Sequence, residues 1–238
     1  MDVPVWGLPT PLRGFTIAQL SDFHVGPHVK AEDVRRAVQA ANKLGPDLVV
    51  LTGDYVSGSA QYSKACAREL AGLKAGHGVR AILGNHDFWT DADVVAASLR
   101  QAGLDVLRNE HRRLDVGGAD VYLAGIEDVW SGRPDLEAAL DGVPHGVPTV
   151  LLAHEPDFAD QATRHNITLQ LSGHSHGGQV RLPFVGAPIL PYLAHKYPYG
   201  LRRVGEMWLY TNRAVGLVAP PVRFLCRPEI TLLRLQAV

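Results

Sequence analysis

The chain has 238 residues, with 23 Lys and Arg against 24 Asp and Glu, a formal charge of −1, and 11 histidines. This length fits a single domain, 1–238, burying roughly 70–75% of the surface its unfolded form exposes, so folding requires no disulfide or structural metal. The neutral balance disfavours a broad basic surface for nucleic acid, and the two distant cysteines, Cys66 and Cys226, indicate neither a disulfide framework nor a thiolate zinc site.

Residues 1–20 show no basic region followed by an apolar stretch, so they do not read as a signal peptide, and the default location is cytoplasmic. No run of about 18 apolar residues is present. The first predicted strand is 15–20, followed by a helix at 31–44 whose apolar face is Val34, Ala37, Val38, Ala41 and Leu44, ended by Gly45-Pro46. Strands follow at 47–51 and 79–83. Thr90 is a plausible N-cap for a helix carrying Val94, Val95, Leu99 and Ala102. Further strands at 121–124, 149–153 and 167–171 have the mainly apolar runs of strands buried on both faces. This alternation predicts an α/β fold. The last third reads differently: strands at 207–210, 222–225 and 230–235 without long helices predict a mixed sheet or a second, antiparallel layer.

Five of these strands run into residues with metal-binding chemistry. The first leads to Asp22 and His24, the second to Asp54, the third to Asn85-His86-Asp87, and two later ones to His154 and to His174-Ser175-His176. Taken singly, an Asp after a strand is a turn former or cap. Turn chemistry gives no reason for five strands to end this way, and the C-terminal strand ends of α/β sheets face the ligand crevice. Residues two apart on an extended or tightly turning segment can face one ion, a carboxylate such as Asp54 can bridge two, and Asn85 offers a neutral oxygen. This N/O set suits Mn, Fe, Zn, Co or Ni without choosing among them.

The series D-x-H, G-D, G-N-H-D, H, G-H-x-H, from Asp22 to His176, resembles the calcineurin-like metallophosphoesterase superfamily. The run from Gly173 to Pro183, with Pro221–Phe224 and Arg227–Ile230, looks like its YaeI/YkuE-like phosphodiesterase branch. The resemblance implies a four-layer αββα double β-sandwich, α/β or α+β by scheme, with a dinuclear metal centre at the strand ends. It implies one ion held by Asp22, His24 and His176, a second by Asn85, His154 and His174, and Asp54 bridging. It also implies His86 beside the scissile phosphate, where it donates a proton to the leaving alkoxide or stabilises the transition state, with Asp87 following to orient it. The implied activity is hydrolysis of a phosphate ester, most of all a phosphodiester, through in-line attack of a hydroxide activated by two divalent ions.

The alternative is a non-catalytic scaffold on the same fold, binding partners or membrane through the metal face or residues 182–199. That segment carries Leu182, Phe184, Val185, Ile189, Leu190, Tyr192, Leu193, Tyr197 and Tyr199 beside Lys196, Arg202 and Arg203, so peripheral lipid contact is an open expectation. The expected substrate is a small anionic phosphate ester. Composition is silent on oligomeric state. No Gly-x-Ser-x-Gly elbow is present, which disfavours a Ser-His-Asp hydrolase.

Overall fold

The apolar runs and amphipathic segments fold into two six-stranded sheets. The computed structural model describes every residue, Met1–Val238. In chain order its elements are β1 (Asp2–Val5), β2 (Thr16–Leu20), α1 (Ala31–Lys43), β3 (Leu48–Thr52), α2 (Ser63–Leu70), β4 (Val79–Ile82), α3 (Asn85–Thr90) and α4 (Ala92–Gln101). They continue with β5 (Asp105–Val106), β6 (Glu110–Val116), β7 (Ala119–Gly125), α5 (Leu136–Leu140), β8 (Thr149–Leu152), α6 (Ala159–Ala162), β9 (Leu169–Ser172), β10 (Gly200–Val204), β11 (Met207–Thr211) and β12 (Thr231–Ala237).

The first sheet has the order β1-β12-β2-β3-β4-β5, with β2 through β5 parallel and β12 antiparallel to β2. The second has the order β10-β11-β9-β8-β7-β6, parallel from β11 to β7 with antiparallel edges β10 and β6. Alternating side chains of one strand serve different layers. Leu48 and Val50 meet Leu123, Val150 and Leu171 between the sheets, whereas Val49 and Leu51 pack outward against Val34, Val38 and Ala41 of α1 and Val95 and Leu99 of α4. On the far side Ala124 and Leu151 pack against Ala139 of α5 and Ala159 of α6. The result is the expected αββα stack, and burial on both faces explains the unbroken apolar runs of the central strands.

Three expectations are corrected. The second sheet begins at β6 and not in the last third, because β8 and β9, buried on both faces, read like strands of the first sheet. Asp91, not Thr90, caps α4 by accepting the Val94 amide at 3.0 Å, while the Thr90 hydroxyl donates to the carbonyls of His86 and Asp87 and closes α3. Residues 222–225 form no strand. A single bridge joins Val180 to Phe224, and the flanking prolines at 220, 221 and 228 lack the amides a ladder needs.

Candidate metal centre

The C-terminal ends of β2, β3 and β4 in one sheet and of β8 and β9 in the other converge on one rim. Backbone bonds tie the rim together: Asp22 N–H donates to Gly53 O at 2.9 Å, His24 N–H to Asp54 O at 3.0 Å, and Gly173 N–H to His154 O at 3.0 Å. The buried Gln19 side chain joins the sheets by donating to Ser172 O at 2.9 Å and Thr52 Oγ1 at 3.0 Å. The expected ligands leave their strands through tight turns. Asp22, His24, Asp54, His174 and His176 all have φ between +51° and +67°, the left-handed region that non-glycine residues seldom adopt. Such backbone is held only where surrounding structure over-determines it, at a cost of order 1–3 kcal/mol each, and it clusters at functional sites.

All seven expected ligands are buried; six gather in clusters of donor atoms, and Asn85 lines the same cleft. Asp22, His24 and His176 form one cluster and Asp54, His154 and His174 another, the donor atoms of each lying within 4.8 Å of one another. Asp54 stands between the clusters: its Oδ2 is 3.4 Å from His24 Nε2 and 3.2 Å from His154 Nε2. Two imidazoles have their tautomers set by carbonyls, which can only accept. His154 Nδ1 donates to Thr52 O at 2.6 Å, so Nε2 is the atom that faces the site, and His174 Nε2 donates to Tyr192 O at 2.7 Å, leaving Nδ1. The carbonyl of Tyr192 is a contributor that nothing in the sequence marked.

These donors fit divalent cations. Asn85 Oδ1 and His154 Nε2 are buried without a hydrogen-bond partner, and His24 Nε2 faces His176 Nε2 at 3.0 Å. Unsatisfied buried polar atoms cost about 1–3 kcal/mol each, a penalty that a cation accepting their lone pairs removes. The electrostatics point the same way. Burial alone would raise the Asp22 carboxyl, but His176, His24 and His154 together more than offset this and hold it well below its usual range; burial of Asp54 is likewise outweighed, here chiefly by His154 and His86, so both remain ionised. Burial brings His24 down to about 4 and, with the charge of His154, lowers His174, so both imidazoles are neutral at pH 7. For His154, burial is overcome by Asp54, which raises its affinity for a proton that an arriving cation must displace.

His86 is half-buried at the wall of an open cleft of about 600 Å³, its ring edge-on to His24 at 4.6 Å and 4.7 Å from Trp89. Its backbone amide donates to Asp54 Oδ1 at 2.9 Å. The structure gives Asp87 a different task from the expected orientation of His86. Its carboxylate accepts the amides of Asp54 and Gly84 on Oδ2 (2.9 and 3.0 Å) and of Tyr55 on Oδ1 (2.9 Å), so it pins the β3 turn that carries Asp54. Burial followed by the charge of Asp54 pushes it up to about 7, against those amide bonds.

Two glycines are also part of the site. A Cβ on Gly84 would meet Asp54 Oδ1 and lie 2.7 Å from the His154 ring, and one on Gly173 would overlap Ser21 and the Asp22 carboxylate. We expect Gly173→Ala to lower stability by about 1–3 kcal/mol and to weaken metal loading, read by thermal denaturation and metal analysis; unchanged loading would contradict the packing argument.

Asp128 and Glu155, absent from the expected set, form a buried carboxyl pair behind His154. Glu155 accepts the amides of Val129 and Trp130 at 3.1 and 3.3 Å, and Asp128 accepts that of Ser131. Burial and the adjacent Glu155 push Asp128 up to about 9. The native state therefore holds a proton that the unfolded chain loses near 3.8, so this contribution is complete below about pH 4 and falls as pH rises, by at most about 1.4 kcal/mol per pH unit. Asp128→Asn keeps the neutral form. In chelator-treated protein its melting temperature should gain on wild type progressively from pH 5 to pH 8; a gap independent of pH would contradict the shared proton.

Residues 15–178 match the calcineurin-like phosphoesterase family. The chain is 37% identical to the uncharacterized metallophosphoesterase YkuE of Bacillus subtilis over 97% of its own length and 82% of that protein's. It is 33% identical to phosphodiesterase YaeI of Escherichia coli over 93% and 82%. Other matched relatives are longer, and the chain spans just over half of their length. Among solved structures, a dimetal phosphatase from Danio rerio shares the fold, with a TM-score of 0.58 at 12% identity over 94% of this chain and 93% of that one. With a family match over more than half of its length and the ligand series gathered on one rim, the chain belongs to the calcineurin-like phosphoesterases.

Proposed function

We propose that the protein is a metal-dependent phosphodiesterase acting through this rim. The observation that carries the reading is the pair of buried donor clusters linked by Asp54, whose Oδ2 stands 3.4 Å from His24 and 3.2 Å from His154, with His86 beside them on the cleft wall. Asp22, His24 and His176 would hold one divalent cation, Asn85, His154 and His174 a second, with Asp54 common to both. Bound there, two such ions would polarise the phosphate oxygens and lower the pKa of water at neutral pH. The N/O donors suit Mn, Fe, Zn, Co or Ni.

The chain's own part is to hold these donors in ligating form and to serve the leaving group. His86, the half-buried imidazole nearest the clusters, donates a proton to the departing alkoxide, an effect worth about 10²–10⁴-fold. Diesters are favoured over monoesters by the cleft itself. No Lys or Arg lines it to balance the extra charge of a monoester, while Val180, Leu190, Val218 and Pro220 offer room for a second substituent. The name of the YaeI relative agrees. Residues 1–238 act as one domain, since β12 returns beside β1 and β2 to complete the first sheet. A scaffold without catalysis would have no use for five strained backbones converging on ionised carboxylates and the neutral imidazoles of His24 and His174. No helix is long and apolar enough to cross a membrane.

The test is a metal-reconstituted screen of phosphomonoesters against phosphodiesters with Asp54→Asn as blank. Faster turnover of diesters in the wild type alone supports the reading; equal turnover in the blank contradicts it.

A further inference from the structure

Beside the cleft mouth the chain exposes apolar side chains that the fold does not use. Residues 182–186 form a tight turn closed by reciprocal backbone bonds between Leu182 and Gly186 at 2.8 and 2.9 Å. At its tip Phe184 is fully exposed and has φ of +64°, a conformation in which a bulky residue is unfavourable and glycine or asparagine ordinary. Val185 is 70% exposed, and the adjacent segment, joined through the Val180–Phe224 bridge, adds Phe224 and Leu225, each at least half exposed. Ile189, 80% exposed, belongs both to this surface and to the cleft wall, so the two are continuous.

The charge in this part of the chain is mainly positive. Of the eight Lys and Arg in residues 161–228, Lys196, Arg203 and Arg213 pair with Asp160, Glu206 and Glu229, and the other five have no carboxylate partner. Arg181 lies over the Tyr199 ring at 4.1 Å, Arg223 donates to the carbonyl of Gly216, and Arg227 is exposed, so none of these three is neutralised by a carboxylate. Apolar wedges framed by unpaired arginines are complementary to the interface of an anionic bilayer, where buried apolar area and attraction to acidic headgroups act together.

We propose that the 182–186 turn and residues 222–227 dock the protein on an anionic lipid surface, with the cleft opening toward it, and that the ester hydrolysed is carried by an amphiphile in that bilayer. The apolar, cation-free cleft wall then takes the substituent nearest the phosphate, and the arginines engage neighbouring headgroups. The substrate half of this inference rests on the phosphodiesterase reading; the docking half does not.

Full-length metal-loaded protein should co-sediment with vesicles of phosphatidylcholine mixed with phosphatidylglycerol and not with phosphatidylcholine alone, and added salt should release it. Phe184→Asp with Leu225→Asp should lower the bound fraction by about tenfold or more while leaving turnover of soluble bis(p-nitrophenyl) phosphate unchanged, and should lower turnover of a phosphodiester lipid in the same vesicles in proportion to binding. Equal binding of wild type and variant, or no binding of wild type to anionic vesicles, would overturn the docking surface. A dimer in sedimentation velocity that Phe184→Asp separates would place a second copy there and overturn it too. Vesicle binding without hydrolysis of the lipid diester, where the soluble diester is cleaved, overturns the substrate class alone. No turnover of the soluble diester would contradict the phosphodiesterase reading while vesicle binding still reports on docking.

Discussion

Asp54→Asn is expected to lower turnover of phosphate esters by about 10³-fold or more, the equivalent of several kcal/mol of transition-state charge stabilisation. Four interactions converge on this residue. Its Oδ2 lies between the imidazoles of His24 and His154 at 3.4 and 3.2 Å, its Oδ1 accepts the His86 amide at 2.9 Å, and its backbone amide is pinned by Asp87. Asparagine is nearly isosteric, so the turn should survive, but it removes the negative charge shared by both donor clusters and places an NH₂ against imidazole lone pairs. Metal content should fall together with turnover, and the chelator-treated protein should melt somewhat lower because the buried His154 imidazole loses its counter-charge. Parallel assays of bound metal, turnover and melting separate these effects; a variant that keeps both ions and full turnover would remove Asp54 from the shared position.

His86→Ala is expected to leave metal content unchanged and to slow hydrolysis of an alkyl phosphodiester by about 10²–10⁴-fold. The effect should be much smaller on bis(p-nitrophenyl) phosphate, because nitrophenolate departs without a proton. This contrast between leaving groups distinguishes proton donation from damage to the site, which would slow both substrates alike. His86 sits at the N-terminus of α3 and reaches the cleft wall, while its neighbour Asp87 turns inward to the backbone. Asp87→Asn should therefore act on stability and on the placement of Asp54, with no special dependence on leaving group. Comparing the two variants on both substrates separates proton donation from positioning.

The order of site residues was legible because each lies within a few residues of an apolar strand, and period-based reading locates such strands well. The seven residues expected as ligands are buried at one rim, and His86 lines the cleft beside them. Less visible was which sheet each strand joins: β4 and β8 look alike in sequence, both short apolar runs, yet deliver Asn85 and His154 from opposite sheets. The resemblance supplied the two-sheet architecture that periodicity alone did not. Asp87 was misread because adjacency in sequence implies a shared task only if side chains point the same way; within α3, successive side chains diverge by about 100°. Gly84, Gly173, the Tyr192 carbonyl and the Asp128–Glu155 pair escaped because their contributions depend on close approach and burial, which leave no pattern in a single chain. A hint was present for Phe184, an aromatic residue in a Pro- and Gly-rich turn, but only the fold shows that nothing covers it.

Two donor clusters linked by Asp54 would form one hydrolytic metal centre. Its most direct test is titration of chelator-stripped protein with Mn²⁺, following bound metal and turnover of bis(p-nitrophenyl) phosphate in the same samples. Saturation is expected at two ions per chain, with turnover rising only as the second site fills. Full turnover with one ion, or in the stripped protein, would contradict it.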